Sequence, residues 1–248
     1  MTKITIPTVY DNDTKYYIDG EKVYFTPNNE IKGADIKTFE LYIGWFAKDK
    51  NCCYFQGSVF KSADVGTFEV LNWAFAKDKN NVYTNNGILK NADTKTFEVM
   101  GDGYNKLSWI IPGGYGKDSE HIFCYVYGTK TIILKDADIK TFEFVTDLYG
   151  KDKNYVFWNG KKLKNANPKT WKLLDGNAYS VDDKNAYCGN ELIKDVDVKT
   201  FEVFTDKNGG HYARDGKFIY NNSVRIGIST PDWFFDTEKV NVFLEKQK

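Results

Sequence analysis

Ala34-Asp35-Ile36-Lys37-Thr38-Phe39-Glu40 decides the reading of this chain, because the phrase comes back. It recurs as Ala63 to Glu69, Ala92 to Glu98, Ala137 to Glu143 and Val196 to Glu202. Its aromatic falls at Phe39, Phe68, Phe97, Phe142, Trp171, Phe201 and Phe234, with successive separations of 29, 29, 45, 29, 30 and 33. A fixed period between roughly 20 and 50 residues marks a repeat architecture and outranks other fold arguments. Most residues are therefore expected to be scaffold.

A second phrase keeps a constant distance from the first. Phe46-Ala47-Lys48-Asp49-Lys50-Asn51 matches Phe75 to Asn80, Tyr149 to Asn154 and, in part, Tyr115 to Asp118. Asp49 to Phe68, Asp78 to Phe97, Asp152 to Trp171 and Asp215 to Phe234 are each 19 apart, and the last pair exposes a disguised final repeat. The repeats read as residues 17–43, 44–72, 73–100, 115–146, 147–175, 178–205 and 211–236 of one domain, with an insertion at 101–114.

Each repeat has the pattern of a short antiparallel meander. Thr96-Phe97-Glu98-Val99-Met100 alternates and is rich in strand formers, whereas Phe75 to Lys77 and Asn81 to Thr84 are too short for ordinary helices. Asp78-Lys79-Asn80 and Asn85-Asn86-Gly87 supply turn chemistry between them. The expected class is all-β, with about seven tandem meanders of about 29 residues. An open stacked solenoid or spiral is favoured over a seven-bladed propeller, because propeller repeats run to about 40 residues or more.

The aspartates of the Ala-Asp-x-Lys-Thr phrase resemble a catalytic set until the variants are aligned. The same place holds Asn167, before Pro168, and Thr230, before Pro231. An oxygen-bearing side chain before a tolerated proline describes a turn cap, not an acid or base. The following Phe or Trp reads as a core anchor.

The chain resembles the DKNYY repeat family through Asp152-Lys153-Asn154-Tyr155-Val156 and Asp78-Lys79-Asn80-Asn81-Val82. The likeness covers the second to sixth repeats well and the end repeats loosely. It implies a bacterial repeat protein without a common activity or catalytic motif, so no functional residue carries over.

Composition narrows the function classes. Hydrophobic residues make up 42% and aromatic residues 17%, enough for a substantial core, and 34 basic residues balance 34 acidic ones. A nucleic-acid binder shows a basic excess or stripe, and this chain has neither. The start has no signal-peptide pattern and no stretch reads as a membrane span, so the cytoplasm is the expected location. Cys52, Cys53, Cys124 and Cys188 form no metal-ligand spacing with His121 or His211 and read as small apolar residues. His121 and His211 read as turn residues, and Asp11/Asp13, Asp136/Asp138 and Asp195/Asp197 do not continue into a calcium-loop pattern. No cofactor, metal or catalytic constellation is expected.

Periodicity fails in one place. The insertion Gly101 to Gly114 has glycine-rich ends around an aromatic and aliphatic centre, and a second, shorter one lengthens the hairpin around Tyr125 to Thr131. Insertions in repeat proteins map to loops and often to the binding face. Tyr104, Trp109, Ile110, Tyr125 and Tyr127 are the expected partner contacts. The function expected is a non-enzymatic protein-binding scaffold, with an immunity or inhibitor protein that occludes a toxin as its specific form. The alternative is carbohydrate or cell-envelope binding, which needs repeated exposed aromatics such as Tyr83, Phe157 and Tyr220.

Overall fold

The computed structural model describes residues 3–6, 14–106, 110–174, 178–205 and 210–228. The chain is all-β and built of tandem repeats. Its described strands form seven small antiparallel sheets, and none closes into a barrel. One short 3-10 turn, Ile43–Trp45, is the helical exception among them.

The third sheet shows the module in its plain form. Glu69–Val70, Ala76–Lys77, Val82–Thr84 and Gly87–Ile88 lie in chain order, each strand paired with the next. Strands this short follow from the turn residues that interrupt the sequence every few positions. The fifth, sixth and seventh sheets repeat the order with Glu143–Phe144 to Lys161–Lys162, Lys172–Leu173 to Glu191–Ile193 and Glu202–Thr205 to Val224–Ile228. The first module is a two-stranded hairpin, Tyr16–Asp19 with Lys22–Phe25, and Lys3–Ile4 adds an edge strand to the second sheet.

The strand that follows each anchor opens a sheet instead of closing one. Glu98, Val99 and Met100 pair with Lys117, Gly116 and Tyr115 of the fourth sheet, so sheet boundaries fall at the anchor. The 101–114 insertion thus follows the first strand of that sheet and runs into the second, Ile110–Lys117. Part of it is a hairpin in which Tyr104, Asn105 and Lys106 pair with Pro112, Ile111 and Ile110.

The chain divides into two compact units, Met1–Ile139 with Phe144–Leu148, and Lys140–Glu143 with Tyr149–Lys248. Within the first, neighbouring sheets share a core: Phe46, Phe55, Phe68, Val70 and Tyr83 form one cluster, and Phe75, Phe97, Phe123 and Tyr125 another. Within the second, Tyr179, Val181, Phe201 and Tyr220 do the same. Anchors Phe39, Phe68, Phe97, Trp171 and Phe201 are buried, Phe142 is half-buried, and Phe234 lies outside the described residues.

A tyrosine three residues before the aspartate of the turn stitches some modules to the next. The hydroxyl of Tyr16 donates to the carbonyl of Trp45, that of Tyr115 to Leu148 and that of Tyr149 to Ala178, each at 3.1 Å. The same position holds phenylalanine at Phe46 and Phe75, which fills the core without that bond.

Candidate functional site

The structure separates the recurring carboxylates into two kinds. Asp35 and Asp64 cap exposed turns: Oδ1 of Asp35 accepts from the backbone and hydroxyl of Thr38 at 3.0 and 2.9 Å, and Oδ1 of Asp64 does the same with Thr67. The threonine then accepts the amide N–H of Lys50 at 3.0 Å, or of Lys79 at 3.1 Å. Lys50 and Lys79 add ion pairs to these carboxylates at 2.5 and 2.7 Å, which hold both below the usual range.

Asp49, Asp78, Asp118, Asp152, Asp182 and Asp215 are the other kind, each 2–4% exposed. Oδ1 of Asp78 accepts the amides of Asn80 and Asn81 at 2.7 Å, while Oδ2 accepts the amide of Asp64 at 2.7 Å and the hydroxyl of Tyr83 at 2.8 Å. One carboxylate therefore closes its own turn and ties it to the preceding loop. Asp49, Asp182 and Asp215 repeat the pattern with Tyr54, Tyr187 and Tyr220. Phe123 and Phe157 replace that tyrosine beside Asp118 and Asp152. Burial alone would push Asp78 up, but the three amides and the phenol outweigh it and hold the carboxyl below its ordinary range. These oxygens accept bonds from the fold itself, the arrangement of a structural element.

All four cysteines are free, and burial pushes Cys53 and Cys124 up to about 12 and Cys188 up to about 11, so the reactive thiolate is disfavoured. His121 stands in the Asp118 turn, its Nδ1 3.3 Å from that carboxylate, whereas His211, expected in a turn, opens the strand His211–Arg214, where its ring nitrogen meets the hydroxyl of its cross-strand neighbour Thr205 at 3.2 Å. No group of three metal-ligating side chains gathers among the described residues.

The surface feature that stands out is aromatic and lies in the first unit. Tyr127 packs edge-on against Trp45 with centroids 6.3 Å apart, Trp45 against Trp73 at 6.4 Å, and Trp73 against Tyr104 at 5.7 Å. Trp45, Trp73 and Tyr104 are half-buried and Tyr127 is 40% exposed. Backbone contacts fix this run. The Trp73 amide donates to the carbonyl of Asp102 at 3.2 Å, and Asn72 caps the Ala74 and Phe75 amides while donating to Gly101. A Cβ at Gly44 would lie 2.4 Å from the Trp73 carbonyl oxygen, so glycine there lets Trp45 approach. Gln56 donates to the Tyr127 hydroxyl at 3.1 Å.

Asp147 adds charge beside the insertion. Its Oδ1 accepts the Gly103 amide at 3.1 Å, and a Cβ at Gly101 or Gly114 would lie 2.9 or 2.6 Å from that oxygen. Burial, with repulsion from Asp102, pushes the Asp147 carboxyl up to about 6 despite that amide bond.

Of the expected contact residues, Tyr104 and Tyr127 join this run. Tyr125 does not: it lies within the strand Ile122–Val126, is 1% exposed and packs against Phe75 in the core, whereas Tyr127 stands in the turn beyond that strand. Trp109 lies outside the described residues, as does the side chain of Ile110. Sequence reading passed over Trp45 and Trp73. Their signal was two tryptophans 28 apart, both off the anchor position. The aromatics named for sugar stacking, Tyr83, Phe157 and Tyr220, are 0%, 1% and 1% exposed, since their rings fill the cores between strands.

Fold and buried turns together define a tandem β-repeat protein in which the second to seventh modules are each closed by a buried aspartate. The sequence profile of the DKNYY family matches residues 46–191, more than half of the chain, and the chain belongs to that family. Comparison with curated proteins and with solved structures finds no match.

Proposed function

We propose that this chain is a non-enzymatic protein-binding scaffold whose contact face is the aromatic run Tyr127, Trp45, Trp73 and Tyr104. The observation that carries this reading is a contiguous run of one exposed and three half-buried rings in a molecule that buries most of its described aromatics. Tyr and Trp are enriched where proteins meet, and they concentrate binding energy there. The non-enzymatic part is supported by the engagement of the recurrent carboxylates as turn acceptors and by thiols held in the protonated form. An immunity or inhibitor protein that covers a toxin is the specific form proposed, acting in the cytoplasm. No helix among the described residues is long and apolar enough to cross a membrane.

A pull-down from the source organism tests the face, with wild type set against Tyr127→Ala and Tyr104→Ala. A protein recovered by wild type and lost with both variants is the expected result. Recovery unchanged by both removes these rings from the interface. Retention on a glycan array, abolished by the same variants, points instead to the carbohydrate reading.

A further inference from the structure

We infer that the sheet edges of the first unit carry a second contact surface, a ridge of Val59, Ile88 and Ile133 flanked by Lys61, Lys90 and Lys135. Its occupant is an acidic face of a protein, with carboxylates set beside an apolar strip. The inference goes beyond the aromatic run and rests on the protein-binding reading only in making the occupant a protein.

One local pattern, used three times, builds the ridge. Ser58–Val59, Gly87–Ile88 and Ile132–Ile133 are edge strands of the second, third and fourth sheets. Side chains alternate along an extended segment. Val59 and Ile88 are 43% and 46% exposed, and Ile133 is half-buried. Phe60, Leu89 and Leu134 come next and pack inward, and the lysine after each is exposed again. The amides of Phe60, Leu89 and Leu134 donate to the carbonyls of Cys53, Val82 and Ile122 at 2.8, 2.7 and 2.9 Å, which fixes each corner. Beyond Lys61 and Lys90 the loop is tied a second time, where the Asp64 and Asp93 amides donate to the buried Asp78 and Asp118 at 2.7 and 2.9 Å. A backbone held this way loses little freedom on binding.

Lysines of this unit fall into two groups. Lys50, Lys79 and Lys117 neutralise Asp35, Asp64 and Glu98 at 2.5, 2.7 and 3.6 Å. Lys61, Lys90 and Lys135 have no ion-pair partner among the described residues. Of the residues that follow them, Ser62, Asn91 and Asp136, one is acidic. The three lysines stand 29 and 45 positions apart, so no basic run shows in the sequence. A nucleic acid or polyphosphate answers the ammonium groups and leaves Val59 and Ile88 in water. Lipid surfaces are gripped by Trp, Phe or Leu on a basic face, and the ridge has none of these. A protein face with carboxylates around aliphatic side chains answers both rows, steering by charge and closing by burial.

Fluorescein-labelled peptides titrated against the full chain, read by anisotropy, test this. The first repeats Glu-Glu-Leu four times, the second has serine for leucine, and the third has lysine for glutamate. The inference expects saturable binding of the first at low salt, at least threefold weaker binding of the second and none of the third. Combining Lys61→Gln, Lys90→Gln and Lys135→Gln should weaken the first peptide at least tenfold. Combining Lys117→Gln, Lys151→Gln and Lys172→Gln makes the same change of net charge on strands and should weaken it less than twofold. Circular-dichroism melts confirm that both triple variants are folded. Equal losses in the two variants, or no binding of the first peptide, overturn the inference. So does lysine-dependent binding of phosphatidylglycerol vesicles or single-stranded DNA that matches or exceeds that of the first peptide. If the ridge fails while the pull-down partner still depends on Tyr104 and Tyr127, the aromatic face stands and only this surface falls.

Discussion

Replacing aspartate by asparagine at two places one repeat phrase apart should give opposite results. At Asp78 the substitution keeps the shape but turns one acceptor oxygen into a donor. Asp78 is 3% exposed, and its Oδ2 accepts the Asp64 amide at 2.7 Å and the Tyr83 hydroxyl at 2.8 Å. The phenol can turn to accept from the new amide, but the Asp64 N–H then faces a donor. Stranding one buried N–H costs about 1–3 kcal/mol, and the remaining bonds lose their charge assistance at about 1 kcal/mol. Asp78→Asn should therefore destabilise the protein by about 3 kcal/mol. At Asp93, Asn satisfies the same amide of Lys95 and hydroxyl of Thr96, and Asn167 already fills the equivalent place in a later module. That change should stay within about 0.5 kcal/mol, as expected of interchangeable caps. Urea denaturation at pH 7 measures both. The acid side adds a sign. Asp78 titrates below its ordinary range when folded, so its stabilising contribution is present above the unfolded carboxyl value and is lost as pH falls through the folded one. The acid-side decline should be shallower in Asp78→Asn. A loss below 1 kcal/mol at Asp78, or equal losses at the two sites, would refute the division of carboxylates into two kinds.

Three further outcomes follow from the packing. Phe97→Ala removes a ring that is 3% exposed and meets Phe75 and Phe123 at 5.4 and 5.9 Å, and should cost about 3–5 kcal/mol by the same urea titration. Gly116→Ala should cost about 1–3 kcal/mol although Ala76 occupies the matching place one module earlier, because the new methyl would lie 2.5 Å from the Phe97 ring. Asp147, pushed up to about 6, favours the folded state in its protonated form, so its contribution falls as pH rises from the unfolded carboxyl range through about 6. Asp147→Asn keeps the acceptor for Gly103 and removes the charge beside Asp102, and thermal melts should show higher stability at pH 7 and a flatter profile between pH 4 and 7.

The repeat was legible because Phe39, Phe68 and Phe97 fall at equal spacing, and a module that must bury the same surface each time needs the same anchor. Strand class was legible from the turn residues between short apolar runs. The boundary between modules was not. Glu98 to Met100 follows Phe97 without interruption, and only pairing with Lys117, Gly116 and Tyr115 shows which sheet owns it. The burial of Asp78 was equally hidden, since a capping aspartate and a fourfold acceptor look alike in a linear phrase. Its one clue was invariance: Asp49, Asp78, Asp118, Asp152, Asp182 and Asp215 never change, whereas the exposed cap drifts to Asn167. The aromatic run needed three dimensions, because Trp45, Trp73, Tyr104 and Tyr127 come from three modules and share no common register.

The tyrosine stitches between modules have a consequence for how such a chain diverges. Each hydroxyl ends on a main-chain carbonyl, and the three recipients are Trp45, Leu148 and Ala178. Every residue type brings that oxygen, so the recipient side chain is free of any demand from the bond. A duplicated segment is thus welcomed by its neighbour before any matching change has arisen, and later drift on the receiving side leaves the join intact.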